Sequence, residues 1–404
     1  MAYTYRIFDS IADASNEDWE RCFRAMPTVF MDRKFLLTVE KTLGNESKVW
    51  HVIFYDTDLE PVAWTSLCTF RVDLTTLASS AVKRIFEVGR CVLPSLARMK
   101  ILFCGLPVSV GQKHLLFATT ADPRVVLQLL DKILDELAVR ENARFIVYKE
   151  FDESSAQQML SLLELGYRRA ECPAMHELKR RFTDFGAYCA ALKSHYRNDI
   201  ARSQRKFERC GLRVVNLYTP IEIIPRYTEN VHKLYEAVVA RAEIQLEVLP
   251  REFFLELVRQ FPNQTSLTLI YNGECVVALN WGLRNGLVHH FLFCGMDYSL
   301  TDKADIYFNL MFQHLDAAMK GGPDWIEVGQ TADMFKARLG CESRKLFLYV
   351  KGCGNIPSLL LRYGWEFLFP SRSPIPNYSV FRIEPPRPKN VRRTSCYYLF
   401  KQKG

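Results

Sequence analysis

Residues 287–298 read Leu-Val-His-His-Phe-Leu-Phe-Cys-Gly-Met-Asp-Tyr, and residues 100–105 read Lys-Ile-Leu-Phe-Cys-Gly. Each is a short apolar run closed by the same signature, Leu102-Phe103-Cys104-Gly105 in one and Leu292-Phe293-Cys294-Gly295 in the other. Such a run, bounded by glycine, reads as a buried strand. Outward from each, the same succession follows. A long amphipathic helix (Asp122–Glu141; Ala304–Lys320) leads to an apolar strand (Ala143–Lys149; Trp325–Val328). A second helix (Ser154–Leu165; Ala332–Leu339) then stops at Leu165-Gly166 or Leu339-Gly340 before a last strand (Tyr167–Leu178; Lys345–Lys351). Two copies of one unit is the economical reading, with the boundary near Arg180–Phe182.

Upstream of the signatures the pattern also repeats. In the first half a strand at Thr4–Phe8 precedes helices at Glu17–Arg24 and Arg33–Leu43, then strands at Lys48–Tyr55 and Pro61–Arg71. The stretch Val72–Arg98 is left unassigned. In the second half helices at Asp184–Leu192 and Ser194–Cys210 precede a strand at Leu212–Leu217, and helices at Ile224–Ala242 and Arg251–Gln260 follow. Strands Ser266–Tyr271 and Glu274–Leu283 flank Asn272-Gly273, the strongest hairpin dipeptide. The fold class is therefore α/β (α+β), with each domain a mixed, mostly antiparallel sheet flanked by helices. Domain one covers residues 1–180 and domain two residues 181–404, with a proline-rich tail around Glu384–Lys389 and a strand-like Cys396–Lys401.

At 404 residues the chain has room for two cores of roughly 200 residues each. Its 49% hydrophobic and 24% charged residues are those of a globular protein. No run reaches the roughly 18 apolar residues of a membrane span. The first fifteen residues lack the basic and apolar regions of a signal peptide, so residence in the cytoplasm is expected. Twelve cysteines are scattered without a C-x-x-C pair or a Cys/His cluster at metal-ligand spacing, which favours reduced thiols and no metal. The net charge of +8 favours anionic partners without choosing among coenzyme phosphates, RNA and a membrane surface.

The order of elements resembles that of GNAT acyltransferases, and its duplication is similar to FemAB-like proteins, in which two GNAT-like domains share one chain. The resemblance is clearest in Phe185–Leu212, with Leu192-Lys193-Ser194-His195-Tyr196-Arg197-Asn198-Asp199-Ile200, and in Gly295–Gly340, with Gly329-Gln330-Thr331-Ala332 and Lys336-Ala337-Arg338-Leu339-Gly340. It implies acyl transfer to an amine. One feature departs from the pattern. The glycine-rich loop that cradles the pyrophosphate of acetyl-CoA in many GNAT enzymes is absent, and Met296–Lys303 stands in its place. Some FemAB-like relatives draw on aminoacyl-tRNA instead, so transferase chemistry survives this departure better than acetyl-CoA does.

Amide formation needs a base for the amine, a polarised carbonyl and a proton for the leaving group. Glu327, acidic within Trp325-Ile326-Glu327-Val328, is a candidate base or amine-binding group. A buried ion pair is the competing reading. Lys336 lies four residues before Gly340, where the resemblance implies a tyrosine that protonates the leaving thiolate. It is a candidate for phosphate or oxyanion binding, against a solvated lysine paired with Asp333. The first-half counterpart, Leu162, is inert, which places the site in the second half. His289 and His290 alternate along a strand, so at most one can reach a cleft on a given face and act as a base near neutral pH, against the reading of a satisfied core or edge histidine. Tyr298 and Tyr307 flank the loop where the phosphate cradle would be and are binding candidates.

On the helix from Ser194, Tyr196, Ile200 and Phe207 form one stripe while Arg202, Arg205, Lys206 and Arg209 fall opposite. Seven basic against two acidic residues between Lys193 and Arg213 mark Arg197, Arg202, Arg205 and Lys206 as candidates for donor phosphates, against an ordinary solvated face. Few aromatics interleave them, so stacking on single-stranded RNA is unsupported.

The leading expectation is an N-acyltransferase that joins an activated acyl donor, acyl-CoA or a similar thioester, to a small amine or amino-acid acceptor. No permanently bound cofactor and no DNA partner are expected. The alternatives are an aminoacyl-tRNA-dependent aminoacyl transferase, which makes tRNA a partner, and a non-catalytic degenerate GNAT binding module.

Overall fold

The computed structural model describes residues 3–25, 27–43, 47–73, 98–106, 108, 111–242 and 248–382. The first half contains β1 (Thr4–Phe8), α1 (Asn16–Ala25), α2 (Arg33–Thr42), β2 (Val49–Tyr55), β3 (Pro61–Asp73), β4 (Arg98–Cys104), β5 (Leu115–Phe117), α3 (Pro123–Glu141), β6 (Phe145–Asp152), α4 (Ser161–Glu164), β7 (Arg168–Glu171) and β8 (Met175–Lys179). The second begins with α5 (Phe185–Ala191), α6 (Ser194–Arg209), β9 (Arg213–Leu217), α7 (Pro220–Arg226), α8 (Glu229–Val239), α9 (Arg251–Gln260), β10 (Thr265–Asn272) and β11 (Cys275–Asn285). It continues through β12 (Val288–Met296), α10 (Thr301–Ala304), α11 (Ile306–Gly321), β13 (Trp325–Glu327), α12 (Asp333–Arg338), β14 (Glu342–Arg344), β15 (Leu346–Gly352) and α13 (Asn355–Leu368).

Two mixed sheets organise these elements. One runs β1-β2-β3-β4-β6-β15-β7, with β5 on β3, and the other β14-β8-β13-β12-β11-β10-β9. Among the described residues only β4/β6 and β12/β13 pair in parallel, each across a helical crossover. The sheets do not divide at one point in the chain. β8 pairs with β13 in the second sheet, and β15 pairs with β6 and β7 in the first. The exchange gives β6 and β13 ladder partners where each would otherwise present an open edge.

Three differences from the sequence reading have local causes. Tyr167–Leu178 is two strands in two sheets, because Pro173 has no N–H to extend a ladder. Ser154–Leu165 is a single 3-10 turn followed by the short α4, since the Asp152 carboxylate accepts from Ser155 N and caps the turn. Ile224–Ala242 is broken into α7 and α8, with the Thr228 hydroxyl capping α8 by accepting from Val231 N. The sequence reading missed β5, β14 and α13. Most of Val72–Arg98 lies outside the described residues, as do Glu384–Lys389 and Cys396–Lys401.

Apolar packing joins the halves. α3 lays Val126, Leu127, Leu130, Leu134 and Leu137 on the first sheet. A second core takes Phe30 and Phe35 from the first half and Leu267, Trp281, Leu283 and Leu292 from the second. Phe35 meets Phe253 edge-on at 6.3 Å between ring centroids. Each such side chain contributes about 1.5–3 kcal/mol through burial, so the shared core ties the halves together. Gly295 has a separate role. A Cβ there would stand 2.4 Å from the backbone nitrogen of Tyr235, so its absence lets α8 lie directly on β12.

Candidate functional site

β12 and β13 stay paired for only three residues, Val288 with Trp325, His289 with Ile326 and His290 with Glu327. Beyond that point β12 follows β11 to Met296, while Val328 and Gly329 follow His176 on the other side. In the first half the parallel pairing runs on to Cys104 and Tyr148, through the repeated signature. The second sheet therefore parts earlier relative to that signature, and Phe291–Cys294 lie beyond the divergence.

Glu327 and His290 stand where the strands part. Glu327 Oε2 is 2.7 Å from His290 Nδ1, and Glu327 Oε1 accepts from Arg344 Nη2 at 2.9 Å. Gln112, from the first half, approaches Oε2 with its amide at 3.5 Å. Burial alone would raise the Glu327 carboxyl, but the charges and hydrogen bonds of His290 and Arg344 outweigh it and hold it below the usual carboxylate range. An ionised Glu327 can only accept, so the proton of the shared hydrogen bond sits on His290 Nδ1. His290 is 2% exposed and its Nε2 has no hydrogen-bond partner. With Nδ1 engaged by Glu327, Nε2 is the nitrogen at which the neutral form of the ring offers a lone pair. Phe30 packs edge-on to its ring at 5.3 Å.

Arg344 is the hub behind this pair. Besides Glu327 it faces Glu177 at 3.6 Å and Asp152 at 3.8 Å. Its burial is outweighed by Glu327, Glu177 and Asp152, which keep the guanidinium firmly charged.

His289 points to the opposite face, as strand alternation requires. Its ring lies 4.8 Å from that of His314 in α11. Burial, with the neighbouring charges of His290 and Arg284, brings His289 down to about 4, and burial takes His314 well below the ordinary range. Both are neutral at pH 7, and this face is packed rather than open.

Lys336 is 1% exposed, not solvated. Its Nζ donates to Gly329 O at 2.9 Å and Gln330 O at 2.6 Å. Asp333 pairs instead with His176 at 2.8 Å. The lysine thereby holds a turn in which Gly329, Thr331 and Ala332 have φ of 77°, 66° and 54°. Left-handed backbone costs roughly 1–2 kcal/mol at each non-glycine position, so such a turn needs a fixing group. Burial brings the Lys336 amine down to about 8.

The remaining candidates are dispersed. Tyr298 lies under Arg241, whose guanidinium carbon is 3.8 Å from the ring centre. Tyr307 packs against Phe335 at 5.8 Å, and Phe308 stacks on Phe335 at 4.3 Å. On α6, Ile200, Ser203 and Phe207 are buried. Arg197 folds back onto Leu192 O at 3.3 Å, Arg202 pairs with Asp199 at 2.7 Å, and Lys206 pairs with Asp305, at the start of α11, at 3.0 Å. Arg202 and Arg205 are exposed. The structure thus brings Glu327 and His290 into contact, places Lys336 beside the same divergence, and leaves His289 and the α6 residues apart from that pair.

Sequence reasoning missed Arg344, Gln112, His176 and Phe30. Their only signal is polarity or bulk in short segments without a clear period. Among the described residues no group of three or more His, Cys, Asp or Glu is placed to hold a metal ion.

Residues 194–337 match a family model described as an acetyltransferase (GNAT) domain. That span carries the pattern of a GNAT domain. The matched span begins at α6, passes through the β12–β13 divergence and ends in α12, so it contains the Glu327–His290 pair and Lys336. The described residues have the tandem GNAT fold. A tandem GNAT protein from the clavulanic acid biosynthesis pathway superimposes with a TM-score of 0.52 at 11% identity, over 88% of this chain and 99% of that one. FemX superimposes with a TM-score of 0.52 at 10% identity, over 90% of this chain and 100% of its own. No curated protein matches the sequence. No helix among the described residues is long and apolar enough to cross a membrane.

Proposed function

We propose that the GNAT domain forms an amide by moving an acyl group from a thioester donor, such as an acyl-CoA, to a small amine or amino-acid acceptor. The reading rests on one observation. A histidine whose Nδ1 is held by an ionised carboxylate, and whose Nε2 is unpartnered, stands at the point where the two parallel strands separate. His290 Nε2 takes the proton from the amine nitrogen as that nitrogen attacks the thioester carbonyl carbon. The C–N bond forms, the C–S bond breaks, and the thiolate leaves with the bonding pair. Lys336, its amine near 8, is suited to return a proton to that thiolate at neutral pH. No single residue carries the donor phosphates in this reading. The exposed Arg202 and Arg205 supply a general attraction.

Thermal-shift titration with acyl-CoA thioesters, free CoA and charged bulk tRNA tests the donor. Ligand at about 100 times its Kd adds about 2.7 kcal/mol, a readily visible shift. Stabilisation by thioesters, with turnover in a free-thiol assay that is lost in His290→Gln, supports the proposal. Thioester turnover that survives His290→Gln refutes the assigned base.

The exposed arginines of α6 favour a second reading, an aminoacyl group delivered from charged tRNA. It requires a shift with charged tRNA that weakens steeply as salt rises. Binding of donors without turnover would instead leave a non-catalytic module.

A further inference from the structure

We infer that Arg344 is a positioning residue for His290, acting through Glu327 to keep the imidazole proton on Nδ1 and the lone pair on Nε2. This rests on the reading of His290 as the base and extends it to a residue that contacts neither His290 nor the reacting atoms.

The placement comes from strand exchange. β14 pairs with β8, which sets Arg344 opposite Met175. From there its guanidinium reaches three carboxylates on three strands, Glu327 of β13, Glu177 of β8 and Asp152 of β6. β6 belongs to the first sheet, so Arg344 sits where the two sheets meet. The planar fork has a defined orientation, and its 2.9 Å contact with Oε1 turns Oε2 toward His290 Nδ1. Gln112 adds only a 3.5 Å amide contact on the Oε2 side. Nearby ionisable groups do not substitute for Arg344. Lys113 faces Asp152 and donates to Ser155 at 2.8 Å, while His289 and His314 lie on the opposite face of β12 and are neutral.

The consequence is a proton position. With a neutral side chain at 344, Glu327 remains buried but loses its cation, so its carboxyl takes up a proton. A protonated Glu327 donates its O–H to His290 Nδ1. The imidazole proton then resides on Nε2, and the ring no longer has a lone pair facing an amine. The Glu327–His290 pair carries one proton more than before, and no other group changes.

The test uses the full chain labelled with ¹⁵N-histidine. Long-range proton–nitrogen correlation spectra at pH 7 report the tautomer, with the His290 signals assigned by their loss in His290→Gln. The wild type is expected to show Nε2 unprotonated. Arg344→Gln is expected to show Nε2 protonated, and Arg344→Lys, which restores the charge, the wild-type tautomer. In parallel, the acid limb of kcat/KM should move up by about one to three pH units in Arg344→Gln and return in Arg344→Lys. If Arg344→Gln does not fold, Arg344→Gln/Glu177→Gln removes one of the stranded carboxylates and serves in its place.

An Nε2 that stays unprotonated in a folded Arg344→Gln, or an acid limb that does not move, overturns the inference. The two ideas fail separately. Full turnover in His290→Gln defeats the base assignment whatever the tautomer. An inactive His290→Gln with an unmoved tautomer in Arg344→Gln defeats only the role given to Arg344.

Discussion

Substituting Glu327 with Gln keeps the shape of the side chain and removes its charge, at a position with two charge-assisted hydrogen bonds of 2.7 and 2.9 Å. A glutamine has one carbonyl oxygen to offer. Arg344 has donors only, so that oxygen goes to Arg344 and the amide N–H faces His290 Nδ1. Nδ1 must then accept, and the ring proton moves to Nε2. The base is lost without moving a heavy atom, and kcat at saturating donor and acceptor should fall roughly 10²–10⁴-fold. The stability cost is smaller than that of an orphaned buried charge, about 3–5 kcal/mol. Arg344 still has Glu177 and Asp152 within 4 Å. A loss of about 1–3 kcal/mol at pH 7 is expected.

The pH dependence gives an independent check on the same variant. Glu327 is held below the ordinary carboxylate range in the folded chain, so the unfolded chain binds its proton first as pH falls. Its contribution to stability is complete above about pH 5 and is lost as pH drops through the folded value. Glu327→Gln should therefore flatten part of the acid limb of stability measured by denaturant titration. Turnover within threefold of wild type, together with an unchanged acid limb, would refute this account of the pair.

Lys336→Met tests the buried amine. Lys336 gives up its proton near 8 when folded but near 10.5 when unfolded, so wild-type stability should rise between those values, and the variant should lose that rise. Identical slopes in the two proteins would mean that the lysine is hydrated. Gly295→Ala pushes a methyl to within 2.4 Å of the α8 backbone, and because the obstacle is backbone the cost should reach about 1–3 kcal/mol. An unchanged Tm would contradict the packing of α8 on β12. Arg202→Ala/Arg205→Ala should reduce the salt dependence of donor binding if the donor is tRNA, by roughly 0.7–0.9 in log–log slope for each phosphate contact removed. An unaltered slope would exclude this face of α6 from the donor path.

Local chemistry made much of the fold readable in the sequence. Strong 3.6-residue and two-residue periods located α6, α9 and the strands β10–β12. Asn272-Gly273 announced a hairpin, although its two turn residues are Gly273 and Glu274 because Asn272 pairs with Cys275, and the repeated Leu-Phe-Cys-Gly marked corresponding strands in the two halves. Strand alternation alone required His289 and His290 to face opposite ways, and helical geometry alone separated Ile200 and Phe207 from Arg202 and Arg205. These are properties of neighbouring residues, and they survive without tertiary context.

Only the assembled molecule decided which carboxylate meets which cation. Glu327 could have faced any arginine. It meets Arg344 because β8 leaves the first half for the second sheet and β15 returns to the first, which brings β14 beside the end of β6. From the sequence Lys336 is either a phosphate or oxyanion group or a solvated lysine paired with Asp333, and its burial has no local signal. The left-handed turn at Gly329–Ala332 draws it inward by presenting two carbonyls that need donors. Hydrogen-bond and charge satisfaction between strands far apart in sequence has no period, so it leaves no local mark. Most elements were therefore legible in the sequence read along its length, with β5, β14 and α13 the exceptions, and the site was decided by which of their ends the packed core forced together.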